Sequence, residues 1–185
     1  RVLHALEARA ALGAAAAGLD RVAWVAFATE NRITNVGSRA WAKQSGAPSV
    51  WILSMFNPAP DTWAIVPFDS AGKGPVVNDA YFGKVPADRL VDRDGLLFFS
   101  GDGRHRSKIG VSPRRVRPVL GSYDAAREVL TLATFDRPEG AFEYVNSMWE
   151  IQKEPFAGDV VNSYNDGPPA PGEKPMGPFY ELETS

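Results

Sequence analysis

The chain has 185 residues, 44% of them hydrophobic and 23% charged, and a net charge of -2. That length suits one domain with a sizeable core. The charge balance excludes a chain-wide electrostatic grip on nucleic acid, and the lack of cysteine excludes disulfides and thiol chemistry while leaving the compartment open.

Residues 2–18 form the one strong helical stretch. Ala5 to Ala17 is mostly Ala, Leu, Glu and Arg, all good helix formers, and Gly18 is a plausible stop. From Val22 onward strand signals take over. Val22 to Ala28 reads as a buried strand, followed by Ser49 to Phe56 and Trp63 to Phe68, with Asn57-Pro58-Ala59-Pro60-Asp61 as the turn between the last two. Further runs lie at Gly95 to Ser100, Val116 to Leu120, Glu128 to Phe135, Glu143 to Gln152, Val160 to Tyr164 and Pro178 to Thr184. Asp94-Gly95, Asp102-Gly103 and Glu139-Gly140 stand where turns are needed. About eight short strands broken by Gly and Pro predict an all-β, antiparallel β-sandwich with a short N-terminal helix. The expected division is a helical segment over 1–21 and a sandwich domain over 22–185. No apolar run approaches the roughly 18 residues of a membrane helix. The first residue is Arg1 and no signal-like apolar stretch follows, so a removed or missing upstream segment is expected.

The end of the chain is the most informative stretch. Alternation in Phe179-Tyr180-Glu181-Leu182-Glu183-Thr184-Ser185 puts Tyr180, Leu182 and Thr184 on one side of a strand and Glu181 and Glu183 on the other. A carboxylate held by a stiff strand can act as a general base or grip sugar hydroxyls.

Two short matches give these residues a context. Leu182-Glu183-Thr184 resembles the Leu-Glu-Thr near the end of aldose 1-epimerases, and Asn31-Arg32-Ile33-Thr34-Asn35 is similar to their Asn-Leu-Thr-Asn-His stretch, at a similar separation along the chain. Longer runs resemble an uncharacterised bacterial branch of the same galactose mutarotase-like superfamily. They include Trp51 to Pro58, Gly74 to Asp79 and Asp159 to Pro169. The resemblance implies a supersandwich fold and a sugar-related role. It makes Glu183 the base that takes the anomeric proton. It supplies no acid, because the position of the family's acid His is Val36. The superfamily sandwich is usually larger than this chain, so the resemblance also implies the C-terminal part of a bigger sandwich. A second chain or a missing segment would complete its sheet.

Other candidates come from the residues themselves. His105, between Arg104 and Arg106, could supply the missing acid, or it could sit on an exposed hairpin. Arg106 and Lys108, with Arg104, Arg114, Arg115 and Arg117 nearby, would suit a carboxylated or sulfated sugar if they converge, and are otherwise a solvated face. Asp159, Asn162, Asn165 and Asp166 first suggest a turn, then sugar contacts with Tyr164 stacking on the ring, and last a calcium site without EF-hand spacing. Glu150 is a further carboxylate, on a polar face of the expected 143–152 strand, with Trp149 in the core. Trp41, Trp51 and Trp63 read as packing rather than sugar platforms. No cofactor motif, nucleophile elbow or P-loop is present in the sequence. The expected partner is a carbohydrate, bound on the concave sheet for epimerisation or glycoside cleavage. The alternative is a non-catalytic carbohydrate-binding or assembly module. Neither nucleic acid nor membrane is an expected partner.

Overall fold

The computed structural model describes residues 1–140 and 143–185, apart from the side chains of residues 14 and 15. The chain divides into two compact units, Arg1–Val50 and Trp51–Ser185. The first contains α1 (Ala5–Leu12) and a 3-10 segment, Gly13–Arg21. Glu7 stabilises the start of α1 by accepting the His4 backbone N–H at 3.0 Å. Gly13, at φ 55, ends it well before Gly18.

The second unit is all β. Its strands are β1 (Ile52–Phe56), β2 (Thr62–Pro67), β3 (Leu90–Arg93), β4 (Leu96–Ser100), β5 (Ser107–Val111), β6 (Val119–Asp124), β7 (Val129–Thr134), β8 (Val161–Asn165) and β9 (Tyr180–Thr184). They form a four-stranded sheet in the order β1-β9-β8-β5 and a five-stranded sheet in the order β3-β4-β2-β6-β7. Every pairing within these sheets is antiparallel. The β3–β4 turn shows why Asp94-Gly95 is there: both residues have positive φ, 53 and 77, as the tight hairpin turn that matches strand twist requires.

The two sheets bury a common core. Ala64, Val66, Leu97, Phe99 and Leu120 come from one sheet, and Ile109, Val111, Val161, Tyr180 and Leu182 from the other. The Tyr180 hydroxyl meets Ser122 Oγ at 2.8 Å across the layer, which satisfies both polar groups inside it. The fold is thus an antiparallel β-sandwich with a short N-terminal helix.

Three expectations need correction. Val22–Ala28 is not a strand: one bridge, Val2 to Phe27, is all it makes, and Val22, Val25 and Phe27 are exposed. Glu143–Gln152 is not a strand either. Asn146 Oδ1 accepts the Met148 N–H, and Gln152 Nε2 donates to the Met148 and Glu150 carbonyls, the side-chain bonds of a turn. Trp149 is therefore 74% exposed rather than in the core. The strand expected over 116–120 begins only at Val119, after Pro118, which has no N–H to give a ladder. Conversely, β3 and β5 had no clear signal in the sequence.

Phe99 sits fully buried at the centre of the sandwich. Phe99→Ala should cost about 3–5 kcal/mol in urea unfolding, whereas Leu130→Ala, on the exposed face of β7, should stay within about 0.5 kcal/mol of wild type.

Candidate functional site

Strand alternation gives the four-stranded sheet one apolar face, in the core, and one polar face. Two cross-strand rows make up the polar face. One is Leu53, Glu183, Asn162 and Gly110; the other is Met55, Glu181, Tyr164 and Lys108. Both terminal glutamates therefore project from the sheet side opposite the core, as their period-2 spacing requires.

Lys108 crosses from its own row to the next. Its Nζ donates to Glu183 Oε2 at 2.8 Å, and both side chains are almost fully buried. Trp51, just ahead of β1, donates its indole N–H to the same oxygen at 3.1 Å. The ammonium also lies 4.8 Å from the Trp51 ring centroid and 5.1 Å from that of Tyr81. A desolvated cation flanked by two ring faces and a carboxylate is well compensated.

Tyr81 is itself fixed. Its hydroxyl donates to Asp159 Oδ2 at 2.7 Å and accepts from Asn162 Nδ2 at 2.9 Å. Asn78 Nδ2 donates to the same Asp159 oxygen at 3.1 Å. Burial pushes the Tyr81 hydroxyl pKa up, and the Asp159 charge adds to this. Burial also raises Asp159 itself. Gly110 makes room for the arrangement, because a Cβ there would lie 2.2 Å from Asp159 Oδ2.

Glu183 Oε1 differs from its twin. It is buried and receives no hydrogen bond from any described N–H or hydroxyl. Glu181 lies within hydrogen-bonding reach of Glu183, and burial, then the Glu183 charge, push its carboxyl up to about 7. Burial and the charge beside it both favour the protonated form of Glu181, while Lys108 sits on Glu183.

The expected residues separate into those on this face and those elsewhere. Glu181, Glu183, Lys108, Asn162 and Tyr164 belong to it. Arg106 extends the β5 line, its guanidinium 4.4 Å from the Phe82 ring and 5.5 Å from Trp149. Tyr164 is buried between Phe82 and Phe179, and its hydroxyl donates to Asp166 Oδ1 at 2.8 Å. Asp166 also accepts the Gly177 N–H at 2.8 Å, so its oxygens hold a loop, as the turn reading expects. Asn165 does similar work by accepting the Gly103 N–H at 2.8 Å. Among the described residues no three His, Cys, Asp or Glu side chains gather as metal ligands.

His105 and Glu150 are not brought to the face. The imidazole of His105 is exposed on the β4–β5 connection, and Glu150 is exposed on the 146–152 turn. Arg115 is engaged elsewhere, donating to the carbonyls of Asp69, Ser70 and Gly74.

Trp51, Tyr81, Asn78 and Asp159 are the members of this hydrogen-bond network that sequence reasoning missed or misassigned. Trp51 reads as packing because its neighbours are apolar, yet its indole serves a carboxylate. Only the aromatic pair Tyr81-Phe82 beside Asp79 marks that loop in the sequence. A hollow of about 590 Å³ lies elsewhere, among Lys73, Pro113, Arg114, Pro118 and Arg137, and none of the polar-face residues lines it.

Glu181 makes stability depend on pH with a definite sign. Its folded pKa, about 7, lies above the ordinary 4.5, so the folded state holds the proton more tightly. Its contribution is fully present below about pH 4.5 and is lost as pH rises through 7. Unfolding free energies from denaturant titrations between pH 4.5 and 8 should fall for wild type by on the order of a few kcal/mol relative to Glu181→Gln, whose neutral amide removes this dependence.

No curated protein matches the chain, and no solved structure matches it. A family does match, along the whole of residues 1–185, and the chain belongs to it: the Family of unknown function (DUF6786).

Proposed function

We propose that the protein is carbohydrate-active and binds a sugar on the polar face of the β1-β9-β8-β5 sheet, with Glu183 as the base that takes a proton from a sugar hydroxyl. The observation that carries this reading is the buried Glu183 carboxyl, with one oxygen secured by Lys108 and Trp51 and the other without a donor among the described residues. Hydroxyl-rich ligands need such acceptors, and aromatic edges such as Trp51 and Trp149 suit sugar rings. The likeness of Leu182-Glu183-Thr184 to the aldose 1-epimerase base supports the same role.

Among sugar reactions, proton transfer fits better than glycoside cleavage. Hydrolases separate their carboxyl groups by about 5–10 Å. Glu181 lies within hydrogen-bonding reach of Glu183, closer than that spacing, and Glu150 is on an exposed turn. Glu183 is only 1% exposed, so a ligand reaches it by displacing the Trp51 indole, which is 39% exposed and bonded to Glu183 alone. A non-catalytic binding module is the second reading, favoured by Val36 standing where the resembling family has its acid.

Tryptophan fluorescence should change on titration with aldoses, and polarimetry should show faster α-to-β conversion of D-galactose or D-glucose with the protein present. Glu183→Gln should lower that rate about 100-fold or more while the far-ultraviolet circular dichroism stays that of the wild type. Binding without any rate enhancement would select the module. A flat fluorescence titration across the aldoses would end both readings.

A further inference from the structure

We infer that Glu181 is the general acid that works beside Glu183, the two carboxyls serving the two oxygens on a sugar's anomeric carbon. This rests on the sugar-active reading above and names the proton donor that the reading lacks.

The geometry comes first. Glu181 and Glu183 are two residues apart on one strand, so their carboxyls emerge side by side from the same face. The anomeric hydroxyl and the ring oxygen are bonded to one carbon, so an acid and a base that serve both must also be neighbours. The buried Glu183 Oε1, without a donor from any other described side chain, points to the proton arrangement: a proton on Glu181 supplies the missing hydrogen bond. Lys108 and Trp51 on Oε2 break the symmetry of the pair. Their presence makes Lys108 a positioning residue.

The other proton-bearing groups nearby are poor donors. Arg106 carries a guanidinium that does not release a proton in proteins. Tyr81 is held in its protonated form by burial and by Asp159. The His105 imidazole is exposed on its loop.

The step balances within the pair. Glu183 Oε1 takes the proton of the anomeric hydroxyl, and the electrons of that O–H bond form the new carbonyl. The bond between the anomeric carbon and the ring oxygen breaks, and its electron pair takes the Glu181 proton. The products are an open-chain aldehyde, protonated Glu183 and ionised Glu181. Closure onto the other face of the carbonyl runs both transfers backward and restores the pair, with no cofactor consumed.

Glu181 is faced by Glu183 on its own strand, by Tyr164 and Lys108 in its cross-strand row, by Met55 on β1, and by the charge of Asp166. The acidic neighbours oppose its ionisation and Lys108 favours it, so turnover should be full on the acid side of neutrality and decline as pH rises past about 7. The test is polarimetric conversion of α-D-galactose and α-D-glucose by the full chain from pH 5 to 9. Glu181→Gln keeps the size and a hydrogen-bond donor but cannot give up a proton. It should fold, bind the aldose as judged by tryptophan fluorescence, and lose about 100-fold or more in turnover. Glu181→Asp should restore part of the rate with a displaced alkaline limb. Wild-type turnover that persists in Glu181→Gln with its pH profile unchanged would overturn this inference and leave the sugar-active reading standing. A wild type that converts neither aldose overturns both.

Discussion

The contact on which the polar face depends is the buried ion pair of Lys108 and Glu183. Removing two charges from water costs several kcal/mol per ion, and the Coulomb attraction offsets that only when the remaining hydrogen-bonding capacity is met. Here it is met on one side. Trp51 shares Oε2, and the rings of Trp51 and Tyr81 flank the ammonium. The rest of the layer follows from holding Tyr81 in place: Asp159, Asn162 and Asn78 fix its hydroxyl, and Gly110 leaves the volume that Asp159 fills. A single methyl group at residue 110 would therefore disturb a chain of contacts that ends at Glu183.

The sandwich beneath explains why that layer is rigid. Each glutamate is flanked along β9 by a core residue, Tyr180 or Leu182, packed between the sheets. Sliding β9 by one residue would turn both carboxyls into the core and both apolar groups out, so the register is strongly specified. β9 is also an interior strand, paired with β1 on one side and β8 on the other. The carboxyls thus stand on a part of the fold with little freedom to move.

How much of this was legible in the sequence varied with the kind of signal. The period-2 alternation of residues 179–184 assigned the faces of β9 correctly, and Asp94-Gly95 marked its hairpin turn. The antiparallel sandwich class followed from the same signals. β5 was not legible: Ser107-Lys108-Ile109-Gly110-Val111 has a lysine and a glycine inside, both disfavoured in strands, and only their tertiary roles explain them. The opposite error occurred at Val22–Ala28 and Glu143–Gln152. Apolar residues there suggest strands, but a strand also needs a neighbour for its backbone groups, and that neighbour is not encoded locally. Because Lys108, Tyr81 and Asp159 lie on segments far apart in the chain, Glu183 and Lys108 could each be nominated from sequence, but their pairing could not.

A proposed role for this face is supported by its expense. A sandwich of this kind could bury an apolar side chain at residue 181 with no titration penalty, and a buried ion pair can often be replaced by hydrophobic residues without loss of stability. Instead the chain keeps a carboxyl whose proton is lost at a stability cost as pH rises past about 7, beside a buried Glu183 oxygen that no other described side chain serves. Local choices that work against folding concentrate where a protein acts on something else. The two carboxyls have unlike partners, because Lys108 reaches Glu183 from a neighbouring row of the sheet. Two chemically identical groups made unlike by their surroundings can divide the roles of acid and base, and that asymmetry is the strongest physical argument for proton transfer on this face.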